Sequence, residues 1–287
     1  MGQDLWTAIV VMSGISLICG FLTGRFAYKK RGQTTMLWLA LSVFAMVYFM
    51  LYASGQLFWA RWVPASAAII YTNLAALFAA CGAGWAWRLP DTPVWRRGIM
   101  AGMLAVASAA SIIWPLLSIA LRPPPAGDDQ WRDGVALQTS WATCSPAAAA
   151  TFLNAEEIKS SEAELIPLCL TDSSGTPTLG LYRGVKLVAN ENGKDVAILT
   201  TDLEGLIAAD KWPVLIGVQL PFGTEDRRYA EQWGWIPGMG HSVVVLGRDG
   251  NDRFIVGDPS IGLEVWDRSD MEILWHGIGM RLVPAKR

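Results

Sequence analysis

Four stretches of this chain, residues 6–24, 35–54, 66–87 and 99–121, each run about 19 to 23 residues without an Asp, Glu, Lys or Arg. That pattern leaves the N-terminal half very few folds. At 1.5 Å rise per residue, each stretch is long enough to cross a hydrocarbon core about 30 Å thick. Within lipid every backbone N–H and C=O must be paired inside the protein, so runs of this length are expected to be helices. The expectation is a four-helix transmembrane domain over residues 1–122, in contact with the lipid bilayer. Trp6, Tyr28, Trp59, Trp62, Trp85, Trp87 and Trp95 fall near the ends of the runs, as an interfacial aromatic belt would. Pro115 lies inside the fourth run and predicts a kink of the kind that membrane bundles tolerate. Met1 to Leu5 carries no basic residue and the basic cluster follows the first run, so this segment is expected to stay in the mature protein.

The basic residues set an expected orientation. Arg25, Lys29, Lys30 and Arg31 follow the first run and Arg88, Arg96 and Arg97 the third, whereas the loop after the second has only Arg61. By the positive-inside rule the first and third loops are cytoplasmic. The chain would then be a multi-pass protein of the cell (inner) membrane with both termini and its C-terminal half on the extracytoplasmic, periplasmic side.

Pro123-Pro124-Pro125-Ala126-Gly127 is a stiff break that predicts a second domain over residues 123–287. This half carries 14 Lys or Arg against 23 Asp or Glu, a formal charge of −9. Such an acidic balance argues against nucleic acid, which needs clustered Lys and Arg, and against docking on anionic lipid. Helical patterns come first, in a segment beginning at Cys144 and at 155–170, 179–189 and 202–209. Strand patterns follow, at 213–220, 241–246, 253–256, 262–266 and 280–283. Helices followed by antiparallel strands make an α+β domain.

Four residues of this half fit the parts of a thiol nucleophile site. A thiol needs a base, the base an orienting acceptor, and the developing oxyanion a donor. Cys144 precedes Pro146 and an alanine run, so it would sit at a helix N-terminus, where the macrodipole favours a thiolate. His241, one of only two histidines, opens an apolar β-branched run, and Asp258 closes the next one. The intervening Arg248-Asp249-Gly250-Asn251-Asp252 suits a hairpin. Base and orienter would then occupy adjacent strands, with Gln138 as the side-chain donor.

Gln138 with five residues before Cys144, the small-residue helix from Pro146, Gly175-Thr176, Gly240-His241-Ser242-Val243-Val244 and Asp258-Pro259 followed by Gly262 together resemble the papain-like cysteine peptidases. Within them, the set is similar to the bacteriocin-processing peptidases that cut leader peptides after a double glycine. The resemblance spans roughly residues 130–280. It implies a membrane-anchored form of a papain-like α+β thiol protease in which Cys144 attacks, His241 is the base, Asp258 orients it and Gln138 stabilises the oxyanion. One departure is Ser145, where the family usually has Gly after the nucleophile.

The implied substrate is a membrane-associated or secreted polypeptide, with a transporter or other membrane protein as partner. An acyl or peptidyl transferase and a catalytically silent peptide-binding module are the alternatives on the same fold. The loop 222–239 is a candidate cleft wall or lid, whose Trp233, Trp235 and Met239 would either touch substrate or pack beneath it. Cys169 is expected as a buried free thiol, Cys19 and Cys81 as packing residues within membrane segments, and His276 as a packed or surface residue. Neither a zinc constellation nor a phosphate loop is present in the sequence, so no metal or cofactor is expected.

Overall fold

The computed structural model describes residues 2–28, 32–250 and 252–285. Lys29, Lys30 and Arg31 of the first basic loop, and Asn251 of the hairpin linker, lie outside the described residues. Two compact units emerge, Met1–Trp59 with Ala67–Ser118, and Ala60–Ser66 with Ile119–Arg287.

Among the described residues the first unit holds four helical spans long and apolar enough to cross a membrane: Gln3–Ala27, Gly32–Ala53, Ala68–Trp87 and Val94–Leu121. The first is helix α1 (Gln3–Ala27). The second is α2 (Gly32–Tyr48), which ends in a π-helical turn at Phe49–Ala53. After the short α3 (Trp59–Trp62), the third span comprises α4 (Ala68–Tyr71) and α5 (Leu74–Trp87), and the fourth is α6 (Val94–Leu121). Helix α5 is the centre, burying Ala75, Ala76, Ala79, Ala80, Gly84 and Trp85. Small residues let α1 approach it closely: a Cβ on Gly84 would lie 2.4 Å from the Gly20 carbonyl oxygen. Trp85 is therefore no belt residue, since it is buried and stacks on Trp38 with ring centroids 6.1 Å apart.

The third span departs from one continuous helix. It breaks at Thr72-Asn73, where Asn73 reaches across to α6. Pro115 has no N–H, so the carbonyl of Ser111, four residues earlier, loses its helical partner. Asn73 Nδ2 donates to that Ser111 oxygen at 2.8 Å, while the Thr72 hydroxyl donates to the Ala68 carbonyl at 2.8 Å. The broken turn thus satisfies the group that proline orphans, and α6 stays one helix through Pro115.

In the second unit a two-stranded ribbon, β1 (Trp131–Arg132) and β2 (Val135–Ala136), precedes α7 (Cys144–Ala155), α8 (Glu162–Leu168) and α9 (Thr178–Glu191). The expected 155–170 helix is shorter, because Ser161 opens α8 with a capping box to Glu164. Then come β3 (Lys194–Thr200), α10 (Leu203–Ala209), β4 (Val214–Gln219), α11 (Arg228–Glu231), β5 (Gly240–Arg248), β6 (Arg253–Asp258), β7 (Gly262–Asp267), α12 (Arg268–Leu274) and β8 (Trp275–Pro284). The sheet order is β3-β8-β4-β5-β6-β7, antiparallel throughout. The domain is α+β as expected. The sequence reading left out β3, whose polar start Lys194-Asp195 pairs with Pro284 and Val283 at the sheet edge. His276 lies exposed in β8.

Helix α7 packs on β5. Its Ala147 to Ala150 are fully buried, and side chains this small let the helix lie close to the strand. One face of the sheet is filled by Val214, Ile216, Val243, Val245, Phe254, Val256 and Trp266, together with Met271 and Leu274 of α12.

Candidate active site

Four segments meet at one end of β5 and β6. Cys144 is the first residue of α7, with Thr143 as the preceding cap position. His241 is the second residue of β5 and Asp258 the last of β6, so the antiparallel hairpin brings both to the same sheet end. His241 Nε2 lies 2.8 Å from Asp258 Oδ1, and the imidazole also interacts with the Cys144 thiol, each shifting the other's protonation. With Nε2 committed to the carboxylate, Nδ1 is the nitrogen left for sulfur. The structure therefore brings the imidazole against both the Cys144 sulfur and the Asp258 carboxylate.

Asp258 is fully buried and its carboxylate is thoroughly paired. Oδ1 accepts from His241, from the Ser260 backbone N–H at 2.8 Å and from the Ser260 hydroxyl at 2.6 Å. Oδ2 accepts from Trp235 Nε1 at 2.9 Å. Burial pushes the carboxyl up, but the hydrogen bonds from His241 and Ser260 outweigh it and hold Asp258 below the ordinary carboxylate range. Burial likewise pulls His241 down, and the bonds to Asp258 and Cys144 override it, raising the imidazole to about 10. Burial pushes the Cys144 thiol up, yet the His241 contact, with smaller help from Ser145 and Ser242, brings it below its usual value. All three directions favour a thiolate–imidazolium pair beside a charged carboxylate.

Gln138 is held beside these groups by its backbone. Its N–H donates to the Pro259 carbonyl at 2.8 Å, one residue past Asp258, and its side-chain Oε1 is buried without a hydrogen-bond partner. Buried Glu162 fixes the next residue, accepting from the Thr139 N–H at 2.8 Å and from Asp128 N at 3.0 Å. The loop that carries Gln138 is thus pinned on both sides.

In the loop 222–239, two of the three candidate residues take the packed placement, the second of the two expected. Trp233 and Trp235 do not face solvent: Trp233 stacks on Trp266 at 5.4 Å, and Trp235 lies 4.7 Å from the His241 ring. Trp235 instead anchors Asp258, a role the sequence reading missed. Phe222, Ile236 and Met239 of this loop are exposed, as is Trp141 ahead of the nucleophile. Gly238 has φ +79° and a Cβ there would lie 2.2 Å from the Phe222 ring, so the loop closes through a residue only glycine fits. The sequence reading also missed Ser260, although Asp-x-Ser is a recognisable turn signal, and Ser242 and Glu162, which carry none.

Cys169 is buried and free, and burial pushes its thiol up to about 12, so it is inert beside Cys144. Gly184 packs against it, with a Cβ there lying 2.3 Å from its sulfur. Cys19 and Cys81 are partly buried in α1 and α5. Among the described residues, no three His, Cys, Asp or Glu side chains group as metal ligands.

No family model matches the chain, and no curated protein matches it. Among solved structures it is similar to the peptidase domain of Streptococcus ComA, a bifunctional ABC transporter of a quorum-sensing pathway. That likeness has 22% identity and a TM-score of 0.41, over 53% of this chain and 98% of that one. It is also similar to a double-glycine motif protease from an AMS/PCAT transporter in complex with its leader peptide, at 18% identity and a TM-score of 0.41, over 57% and 99% of the two chains. The Streptococcus mutans ComA peptidase domain matches at 21% identity and a TM-score of 0.37, over 53% and 99%.

Proposed function

We propose that the protein is a membrane-bound cysteine peptidase of the papain-like kind, acting on exported or membrane-associated polypeptides. The observation that carries this reading is the 2.8 Å bond from His241 to buried Asp258, with the same imidazole interacting with Cys144. Thiolate sulfur attacks the peptide carbonyl carbon, and the C=O π pair moves onto oxygen. Gln138 Nε2 and the Cys144 backbone N–H donate to that oxyanion. Collapse expels the amine, which takes the proton from His241 and leaves a thioester. Water, deprotonated by His241, then hydrolyses the thioester and returns the thiol.

Exposed Trp141, three residues before the nucleophile, and Met239, two before the base, suit apolar substrate side chains. The short connection 123–127 ties the catalytic unit to the last span, so effective concentration favours polypeptides emerging at the same membrane. The distribution of basic residues supports an extracytoplasmic catalytic unit in the inner membrane, and a leader-bearing cargo of a separate transporter is the substrate class the resemblance suggests. The domains in this reading are 1–122 and 123–287.

The test is peptide cleavage by the purified full chain against Cys144→Ala. Loss of about 10³-fold or more in rate is expected. Undiminished cleavage by Cys144→Ala rejects the assignment.

A further inference from the structure

The residues directly after the nucleophile and the base are also bonded to each other. Ser145 Oγ lies 2.8 Å from Ser242 Oγ, across 97 positions of sequence. The two residues are 7% and 6% exposed. Ser145 Oγ is in turn 3.9 Å from Cys144 Sγ. Consecutive residues of α7 are therefore joined to consecutive residues of β5, sulfur to imidazole and hydroxyl to hydroxyl.

A hydroxyl has one proton to donate and two lone pairs to accept with. If Ser145 gave its proton to Ser242, only lone pairs would face the sulfur, and these repel an anion. If Ser242 donates instead, the Ser145 proton is free to turn toward the thiolate. We infer that Ser242 and Ser145 form a two-hydroxyl relay that positions the Cys144 thiolate, Ser242 donating to Ser145 Oγ and Ser145 donating to Sγ. The pair also locks the start of α7 to the start of β5, which fixes the distance between sulfur and imidazole. Ser145 and Ser242 are positioning residues, since they act on the peptide only through Cys144 and His241. The titratable groups facing the sulfur are His241 from β5 and, behind it, Asp258 from β6. The first turn of α7 carries no acidic residue and Gln138 is neutral.

The inference uses the peptidase reading only for the role of Cys144, and its test needs no substrate. The full chain in detergent is alkylated with iodoacetamide over a range of pH, and modification is read by mass on the Cys144 peptide. Losing a donor to the charged form raises a thiol pKa, so Ser145→Ala should move the acid limb of alkylation up by about one pH unit. Ser242→Ala should move it the same way by less, Ser242→Thr should keep the wild-type limb, and the double alanine variant should go no further than Ser145→Ala. Thermal unfolding of each variant checks the fold, and the Ser242 pair decides the matter should Ser145→Ala unfold. An unmoved limb in Ser145→Ala, or Ser242→Thr behaving as Ser242→Ala, overturns the relay. Cleavage that survives in Cys144→Ala would instead overturn the peptidase reading and leave the alkylation result standing.

Discussion

Trp235→Phe isolates one hydrogen bond at the buried carboxylate. Asp258 Oδ1 has three donors, His241 Nε2 and the Ser260 N–H and O–H, whereas Oδ2 has the Trp235 indole. Phenylalanine keeps an aromatic ring against His241 and removes only that N–H, leaving an anionic oxygen unpaired in a residue with no solvent exposure. An unsatisfied buried partner of this kind costs about 1–3 kcal/mol, more when charged. For a unit of this size, about 2 kcal/mol lowers the melting temperature by about 4–8 °C. If about 1.4 kcal/mol of the loss is felt by the imidazolium in the transition state, kcat/KM falls about tenfold. Ser260→Ala removes one of three donors to Oδ1 and should cost less than Trp235→Phe in both measurements. Peptide cleavage by stopped assay and thermal unfolding by near-ultraviolet circular dichroism read the two quantities. Were Trp235→Phe to match wild type within about twofold in rate and 1 °C in melting, the idea that this indole holds the carboxylate would be wrong.

Three further outcomes are expected. The acid limb of activity should lie below the ordinary thiol value because Cys144 is lowered, and the alkaline limb should fall as pH rises through about 10, where His241 loses its proton. A profile of kcat/KM whose alkaline limb sits near the free imidazole value would contradict the ion pair. Gln138→Ala should lower kcat by about 10² to 10³ with KM little changed, since the oxyanion exists only in the transition state; a pure KM effect counts against the donor role. Asn73→Leu should lower the stability of the first unit by about 1 kcal/mol in detergent unfolding, because the Ser111 carbonyl loses its donor. Pro115→Ala in that background should recover part of the loss by restoring an N–H to the same carbonyl, and additive losses would refute the coupling.

The sequence by itself determined whatever depends on neighbouring residues. Charge-free runs of membrane-spanning length mark the four spans, Pro146 and the alanines set Cys144 at a helix start, and the β-branched run after His241 and the one before Asp258 become β5 and β6. These are periodic, local signals, and helix starts and strand ends follow from them. The tertiary structure alone decided that Trp235 reaches Asp258, that Ser145 meets Ser242 and that Asn73 serves the carbonyl orphaned by Pro115. It also decided that a polar-edged segment, Lys194–Thr200, becomes β3 by pairing with β8. Each of these is a bond between segments far apart in the chain. Its energy depends on a partner's position rather than on any spacing within either segment, so no pattern along the sequence announces it.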